Sequence, residues 1–422
     1  MKYRVNHLIY AAGKGILNTI RTGITFNEPV NINLLEKALE ATITRFPYFS
    51  VRLVRENEEY FLCSNELPIV ISHGRRALTL NSSESNYHVF ALSYEENDLY
   101  IDTSHFITDG MGKFPFIKTL IYCYLHEMYP DEVFDTSYIA MPGSDIPQSE
   151  MTDYPYPDEP IFTEPLGSLS RPENVFLLDD QPTGYLNRNK WTSFCMKIKQ
   201  KDLMKYVSSV DGSPATFVTT LIYRAITDIH PDNNLPLVCG MQHQFRKALG
   251  NFRSHLSHVN IIPINYPDKL RGKNIELLNT MARGTLVIRA DDANDILTVN
   301  EHIRNEKIIK SMTLSQKHDF MQKVLLDGIG KNTFEVSYTG RVPWNGLDKY
   351  ITNFLPYIDM SLSGGISAEI FSLGEDFSIN IMQRIEDTKY IDRMQELLKE
   401  SNINFIMEKP AYFYISDFEL PE

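Results

Sequence analysis

The residues best suited to chemistry lie at 105–110, where the sequence reads H-F-I-T-D-G. Histidine has an ordinary pKa near neutrality, so His105 could remove a proton from a hydroxyl or an amine and return it later. Asp109 would need a cationic partner if it is buried, because an unpaired carboxylate is costly in a protein interior. Gly110 lets the backbone turn sharply or approach a ligand closely. The pattern predicts a general base, although Thr-Asp-Gly after a strand is also an ordinary turn signal.

The elements on either side of this segment should position it. Residues 88–94 and 99–104 have the pattern of a hairpin, and its second strand brings His105 to a strand end. After Gly112, apolar residues recur with a helical period until Pro130 stops the pattern. The sequence therefore predicts the order strand, short loop, helix.

Both parts of the chain mix strands with helices, which predicts an α+β fold class. Residues 140–174 are rich in proline and poor in periodic apolar residues, so we predict a linker there, between an N-terminal half, 1–165, and a C-terminal half, 175–422. The other predicted helices are at 33–46, from Ser213-Pro214 onwards, and at 390–401; the other predicted strands are at 49–54, 59–63, 235–241, 258–264, 333–338, 366–373 and 377–383.

Composition narrows the classes of partner. The net charge is −13, with 41 Lys and Arg against 54 Asp and Glu, which argues against nucleic acid as a partner. The four cysteines are scattered without a C-x-x-C pair, a pattern typical of a reducing compartment, so we expect a cytoplasmic protein. No signal peptide or membrane-spanning run is apparent, and we expect a soluble chain without a transmembrane segment.

Two other kinds of site find little support in the sequence. His243, His255 and His258 lie close together, but no carboxylate or cysteine completes a recognised ligand spacing, so we expect no metal. The G-x-S-x-G pattern of serine hydrolases is absent, so no serine nucleophile can be nominated.

Residues 105–110 match the H-x-x-x-D-G motif of the coenzyme-A-dependent acyltransferase superfamily, which the chain resembles. That superfamily includes chloramphenicol acetyltransferase, plant BAHD acyltransferases, alcohol acetyltransferases and condensation domains of peptide synthetases. Weaker similarities lie at 45–49 (R-F-P-Y-F), at 213–216 (S-P-A-T) and at 244–247 (Q-F-R-K). Ser104 stands where many relatives have a first histidine, and the D-F-G-W-G signature of plant BAHD enzymes is missing.

The resemblance implies two chloramphenicol-acetyltransferase-like halves, each with a mixed, largely antiparallel sheet, meeting at a central tunnel. It implies direct acyl transfer from a coenzyme A thioester to an alcohol or amine, with His105 as the base and no permanently bound cofactor. Asp109 would be structural and pair with Arg246, or as a second choice with Arg341. Backbone N–H groups near Gly110, or the hydroxyls of Ser337 and Tyr338, would bind the oxyanion.

Two alternatives stay open from the sequence. The donor could be a carrier-protein thioester acting in trans, or the chain could be a non-catalytic scaffold of the same fold, although a scaffold needs no base at a strand end. Coenzyme A should meet a basic cluster, such as Arg246, Lys247 and Arg253 or Lys269, Arg271 and Lys273. The acyl length, the small-molecule or lipid acceptor and the oligomeric state are not encoded in these patterns.

Overall fold

A computed structural model describes residues 2–13, 15–150, 156–165, 167, 171–178, 191–340, 342–361 and 363–421 of the chain. The strands are β1 Lys2–Arg4, β2 Thr19–Phe26, β3 Val51–Glu56, β4 Glu59–Ser64, β5 Ile71–His73, β6 Phe90–Glu95, β7 Asp98–Ser104, β8 Thr192–Lys199, β9 Leu237–Gln244, β10 Val259–Tyr266, β11 Phe334–Tyr338, β12 Ile351–Ile358, β13 Ile366–Leu373, β14 Asp376–Gln383, β15 Ile406–Met407 and β16 Ala411–Tyr412. The helices are α1 Ile32–Arg45, α2 Gly110–Met128, α3 Gln200–Ser209, α4 Pro214–Ile229, α5 Ile275–Arg289, α6 Asp292–Ile309, α7 Leu314–Gly328 and α8 Lys389–Glu400.

Within the described residues the strands form three sheets. A five-stranded sheet has the order β12-β2-β7-β6-β5, an eight-stranded sheet has the order β10-β9-β11-β13-β14-β8-β15 with β16 also on β8, and β1-β4-β3 form a small third sheet. Most pairs are antiparallel, but β11 runs parallel to both of its neighbours and β5 runs parallel to β6. The fold is therefore mixed and largely antiparallel, as the sequence predicts.

The five-stranded sheet packs against α1 and α2 and so builds the first hydrophobic core. Asn31 caps α1 by accepting hydrogen bonds from two backbone N–H groups, and the helix buries Leu35, Ala38 and Leu39 before Pro47 follows its end. α2 buries Phe116, Ile117 and other residues against the same sheet. This packing fixes β7 and α2 relative to each other, and these are the two elements on either side of His105.

The eight-stranded sheet is covered on one face by helices, α4 and α8 among them, which together form the second core. Ser213 and Thr216 form a reciprocal capping box at the start of α4, with Pro214 in its first turn, as the sequence predicts. Tyr390, Met394 and Leu397 make α8 strongly amphipathic. The other face of this sheet is polar in the middle and faces the first half of the chain.

One strand from late in the chain joins the first sheet. β12 pairs with β2 along its length, so residues 351–358 complete the sheet of the N-terminal half. The Asn380 side chain of β14 donates a 2.7 Å hydrogen bond to the Pro356 carbonyl of β12 and thereby connects the two large sheets. The division at 1–165 and 175–422 stays a prediction.

Described parts of the predicted linker lie against the folded chain. Glu150 pairs with Arg45 at 2.8 Å, and Tyr156 is buried with its ring stacked on His302 at 5.1 Å. The sequence did not predict β1, β2, β5, β8, β12, β15 or β16, or helices α3 and α5 to α7. Both early hairpins and helices α1, α2, α4 and α8 agree with it to within a few residues. No helix in the described ranges is both long and apolar enough to cross a membrane.

Candidate active site

His105 lies directly after the last residue of β7, at the start of a turn that leads into α2. Its backbone N–H donates a 2.7 Å hydrogen bond to the carbonyl of Asn18, just before β2, which extends the pairing of Thr19 with Ser104. The next residues, Phe106 and Ile107, are buried in the first core. The backbone on both sides of the imidazole is therefore held by the sheet and by apolar packing.

Two cavities of about 330 Å³ each meet at this histidine. We name the one lined by Gly110, Trp344 and Phe371 the front cavity, and the one lined by His7, Ser257 and Glu335 the rear cavity. Both are also lined by a shared set of residues: Ile20, His105, Gln242, Val259 and Ile358. A ligand in either cavity can thus reach the His105 side chain.

The imidazole is set up to act as a base. Its Nδ1 lies 3.5 Å from the Ser257 hydroxyl, and its Nε2 forms no hydrogen bond with the residues that the structure describes. Burial lowers the pKa of His105 below its usual value, although a hydrogen bond to its own backbone and the charge of Asp109 act in the opposite direction. A lowered pKa keeps the ring neutral at neutral pH, which is the form that accepts a proton.

Asp109 is buried and fully engaged. One carboxylate oxygen accepts hydrogen bonds from Arg246 at 2.8 Å and from the Gly112 N–H at 2.7 Å, and the other accepts from the His258 N–H at 2.9 Å. Burial raises the pKa of Asp109, but Arg246 and the backbone donors outweigh it, so the pKa lies below the usual value. The carboxylate is therefore both the N-cap of α2 and the counter-ion of Arg246.

Arg246 lies just after β9 and is itself buried, with 4% of its surface exposed. Besides Asp109, its guanidinium donates to the carbonyls of Ser254 and Leu256 at 3.2 and 2.7 Å. The structure thus brings together the two residues that the sequence analysis paired first. The second choice, Arg341, lies outside the described residues.

Glycine is required at 112 rather than at 110. A Cβ on Gly112 would lie 2.1 Å from the His255 carbonyl oxygen, whereas one on Gly110 would meet nothing within 4 Å. Of the two roles expected for Gly110, a sharp turn is not seen, because Gly110 is the first residue of α2; close approach to a ligand stays a prediction. Gly110 instead leaves open space on the wall of the front cavity.

Ser337 and Tyr338 line the front cavity from β11. Successive residues of a strand face opposite sides, and Ser337 shares a face with the buried Glu369 of β13, whose carboxyl it hydrogen-bonds. The Tyr338 ring instead packs against Phe377 at 6.3 Å and joins the second core. Of the two predicted oxyanion donors, Ser337 is the better placed.

Three side chains of the two predicted basic clusters have protein partners. Arg246 is occupied by Asp109, and Lys247 pairs with Asp292 at 2.8 Å. Arg271 donates to the backbone carbonyls of Thr227 and His230 and to Asp268. Coenzyme A binding at either cluster stays a prediction, in which Arg246, Lys247 and Arg271 are already engaged by the protein.

The histidines near β9 and β10 have separate partners. His243 contacts Asp295 at 3.0 Å, His255 contacts the Glu150 carbonyl at 2.6 Å, and His258 contacts Ser254 at 3.0 Å. Among the described residues, no group of three or more His, Cys, Asp or Glu is arranged to hold a metal ion.

Two charged residues in the front cavity were missed by the sequence analysis. Lys113 of α2 and Glu369 of β13 are each 5% exposed and line the cavity beside His105. A lysine within a helix and a glutamate within a strand ordinarily point to solvent, so no sequence signal marks them.

Comparison with known proteins gives the fold a precedent. No family profile matches the chain, and no curated protein is similar to it in sequence. Solved structures do match over nearly the whole chain. TRI101 of F. graminearum, in complex with coenzyme A and deoxynivalenol, has a TM-score of 0.62 at 12% identity and covers 96% of this chain and 99% of its own.

Two further structures come from polyketide systems. Polyketide synthase associated protein 5 of Mycobacterium tuberculosis has a TM-score of 0.58 at 11% identity, covering 94% of this chain and 96% of its own. The condensation domain of the Monacolin K polyketide synthase MokA has a TM-score of 0.55 at 9% identity, covering 95% and 96%. The chain therefore has the same fold as TRI101, polyketide synthase associated protein 5 and the MokA condensation domain.

Breaking the buried ion pair of Asp109 with Arg246 should destabilise the fold far more than breaking the exposed pair of Lys247 with Asp292. Replacing Arg246 with Ala leaves a buried carboxylate without its counter-ion, and we expect the free energy of unfolding in urea to fall by about 3–5 kcal/mol. Lys247→Ala removes an exposed pair with Asp292 and should cost about 0–1 kcal/mol. Equal small losses for both variants would contradict this account of Asp109.

Proposed function

We propose that this chain is an acyltransferase that moves an acyl group from a coenzyme A thioester to an alcohol or amine, with His105 as the general base. The observation that carries the proposal is the position of His105 at the junction of the front and rear cavities. Two substrates that enter from opposite sides would meet at this one side chain. The coenzyme A bound to TRI101, which has the same fold, supports this donor class.

The reaction would be a direct transfer. The acceptor oxygen or nitrogen attacks the thioester carbonyl while the imidazole removes its proton, giving a tetrahedral oxyanion. Collapse of that intermediate breaks the carbon–sulfur bond, and the thiolate takes the same proton from His105. The products are an ester or amide and free coenzyme A, so no covalent acyl-enzyme is needed.

Nearby dipoles would stabilise the oxyanion. The backbone N–H groups of Gly110 and Met111 open α2, where the helix leaves its first N–H groups unpaired. Ser337 of β11 also lines the front cavity, and its hydroxyl could turn from Glu369 to the oxyanion. Preorganised donors of this kind stabilise negative charge strongly, because they need no reorganisation during the reaction.

A carrier-protein thioester is the second candidate donor. The similarity to the MokA condensation domain favours it, as do the protein partners of Lys247 and Arg271, two of the residues predicted to meet coenzyme A. We also propose a reducing, cytoplasmic location, which the free thiols of Cys63, Cys123, Cys195 and Cys239 support.

Release of free thiol tests the proposal. We expect thiol release from acetyl- or longer acyl-coenzyme A that depends on an added alcohol or amine, and a loss of about 100- to 10,000-fold in kcat for His105→Ala. His126→Ala is the matched control, because His126 is an exposed histidine near the far end of the same helix α2. Both variants should keep the native circular dichroism spectrum and Tm.

The outcomes separate the alternatives. Activity that survives in His105→Ala would falsify the mechanism. Transfer from an acylated carrier protein but from no acyl-coenzyme A would identify the second candidate. A folded protein that is inactive with both donor types would indicate a scaffold.

The pH dependence of kcat/KM should report the lowered pKa of His105. The base works in its neutral form, so activity is lost as the pH falls through the pKa of the free enzyme. Since burial lowers that pKa from 6.5, the acid limb of the profile should have its midpoint below 6.5. A midpoint above 7 would show that the ring is stabilised in its charged form.

A further inference from the structure

The front cavity contains a lysine that the proposed mechanism does not use. Lys113 lies in the first turn of α2, one turn after Asp109, and only 5% of it is exposed. Its ammonium forms no hydrogen bond or ion pair with any residue in the described ranges. Burying an ammonium without a hydrogen-bond partner is costly, so this arrangement favours an anion bound in the cavity.

Two of the three carboxylates that act on Lys113 already have an arginine partner, and the third is Glu369. Asp102 lies 3.6 Å from Arg21, and Asp109 lies 2.8 Å from Arg246. Both acids act on Lys113 only at longer range. Each is balanced by its own arginine, so Lys113 adds a positive charge that these pairs do not neutralise.

The start of the helix adds to this positive potential. Gly110 and Met111, the first two residues of α2, line the front cavity together with Lys113. A helix N-terminus carries a partial positive charge, and the one carboxylate that caps this end, Asp109, is already paired with Arg246, so a further anion beside Lys113 is favoured. Lys113 and the helix terminus therefore favour the same kind of ligand.

Glu369 faces this site from the other wall. It is 5% exposed and lies opposite Ser337 in the register of β13 with β11. Most of the remaining wall is apolar and includes Phe114, Trp344 and Phe354. The front cavity therefore suits a ligand with an apolar body and one polar group, bound between Lys113 and Glu369.

We propose that the front cavity binds a carboxylate group of a substrate, with Lys113 and the N-terminus of α2 as the anion-binding groups and Glu369 as a neutral hydrogen-bond donor. The inference rests on the proposed function, because it names the substrate class of the same site. The carboxylate can be carried by the acceptor, as in an apolar hydroxy acid, or by the acyl group of the donor, as in a dicarboxylic acid monothioester.

The protonation states agree with this assignment. Burial raises the pKa of Glu369 to about 7 and lowers the pKa of Lys113 to about 8. Near neutral pH, Lys113 is mostly charged and Glu369 is readily protonated, and a bound carboxylate would raise both pKa values further. An amine ligand would require Lys113 to lose its proton, which is the larger departure from the resting state.

Binding is measured first, because it does not require turnover. By isothermal titration calorimetry the native protein should bind hexanoate more tightly than 1-hexanol, and Lys113→Met should weaken hexanoate binding about 10- to 100-fold. Lys37→Met is the control, since Lys37 is an exposed lysine on α1. Lys113→Met should keep or raise the Tm, because it replaces a buried charge with an apolar chain of similar length. Lys113→Gln is a second variant with the same expected loss of binding.

Turnover then identifies which substrate carries the carboxylate. One comparison uses 6-hydroxyhexanoate and 1-hexanol as acceptors for butyryl-coenzyme A; the other uses succinyl- and butyryl-coenzyme A as donors to 1-hexanol. The preferred carboxylate substrate should lose its advantage in Lys113→Met through KM rather than kcat.

Three results would overturn the inference. They are equal binding of hexanoate and 1-hexanol by the native protein, a hexanoate preference that persists in Lys113→Met, or an equal fall in kcat for all substrates. The last would make Lys113 an oxyanion stabiliser. Absence of thiol release with every donor and acceptor counts against the proposed function, whereas hexanoate binding is judged separately.

Discussion

The buried ion pair of Asp109 with Arg246 connects the two halves of this chain where the chemistry is proposed. Asp109 caps α2 in the first half, and Arg246 follows β9 in the second. The same carboxylate accepts the His258 N–H just before β10. The aspartate side chain is short, and its three donors come from both halves. The position of α2 relative to the second sheet is therefore fixed to within the range of hydrogen-bond lengths.

The position of His105 follows from this connection. His105 follows the C-terminal end of β7. The ion pair brings β9 and β10 close enough for Gln242 and Val259 to complete the cavity walls. β12, a strand from late in the chain, pairs with β2 and so joins the first sheet. The imidazole is thereby reached from two separate cavities, a geometry that suits a reaction between two substrates.

Local patterns in the sequence predict much of this architecture. The apolar periods of α1, α2 and α8, the two early hairpins and the cap at Ser213 are short-range signals, and the structure contains those elements. The sequence did not predict β12, because Pro356 lies within it and a proline argues against a strand. The proline is tolerated here because β12 is the edge strand of its sheet. The sequence did not predict helix α6, because its many charged residues obscure the apolar stripe that includes the buried Val299 and Ile303.

The residues of the candidate site also differ in whether the sequence predicts them. His105 and Asp109 lie four residues apart in a recognisable motif, so the sequence predicts both. Lys113 and Glu369 lie on different elements, and only the folded chain brings them to one cavity wall. The chemistry of a motif can be predicted from the sequence, whereas the chemistry of a binding pocket depends on residues far apart in the chain.

The most direct test of the account is whether the acyl group ever becomes attached to the protein. The native protein is mixed with butyryl-coenzyme A labelled in the acyl group, first alone and then with 1-hexanol, and the acid-quenched protein is counted over time. A base that promotes direct transfer predicts no label on the protein at any time, with thiol release that begins only when the alcohol is added. Label that accumulates on the protein before the alcohol is added, and is then transferred to the alcohol, would contradict direct transfer. That result would show that a side chain of the site acts as a nucleophile.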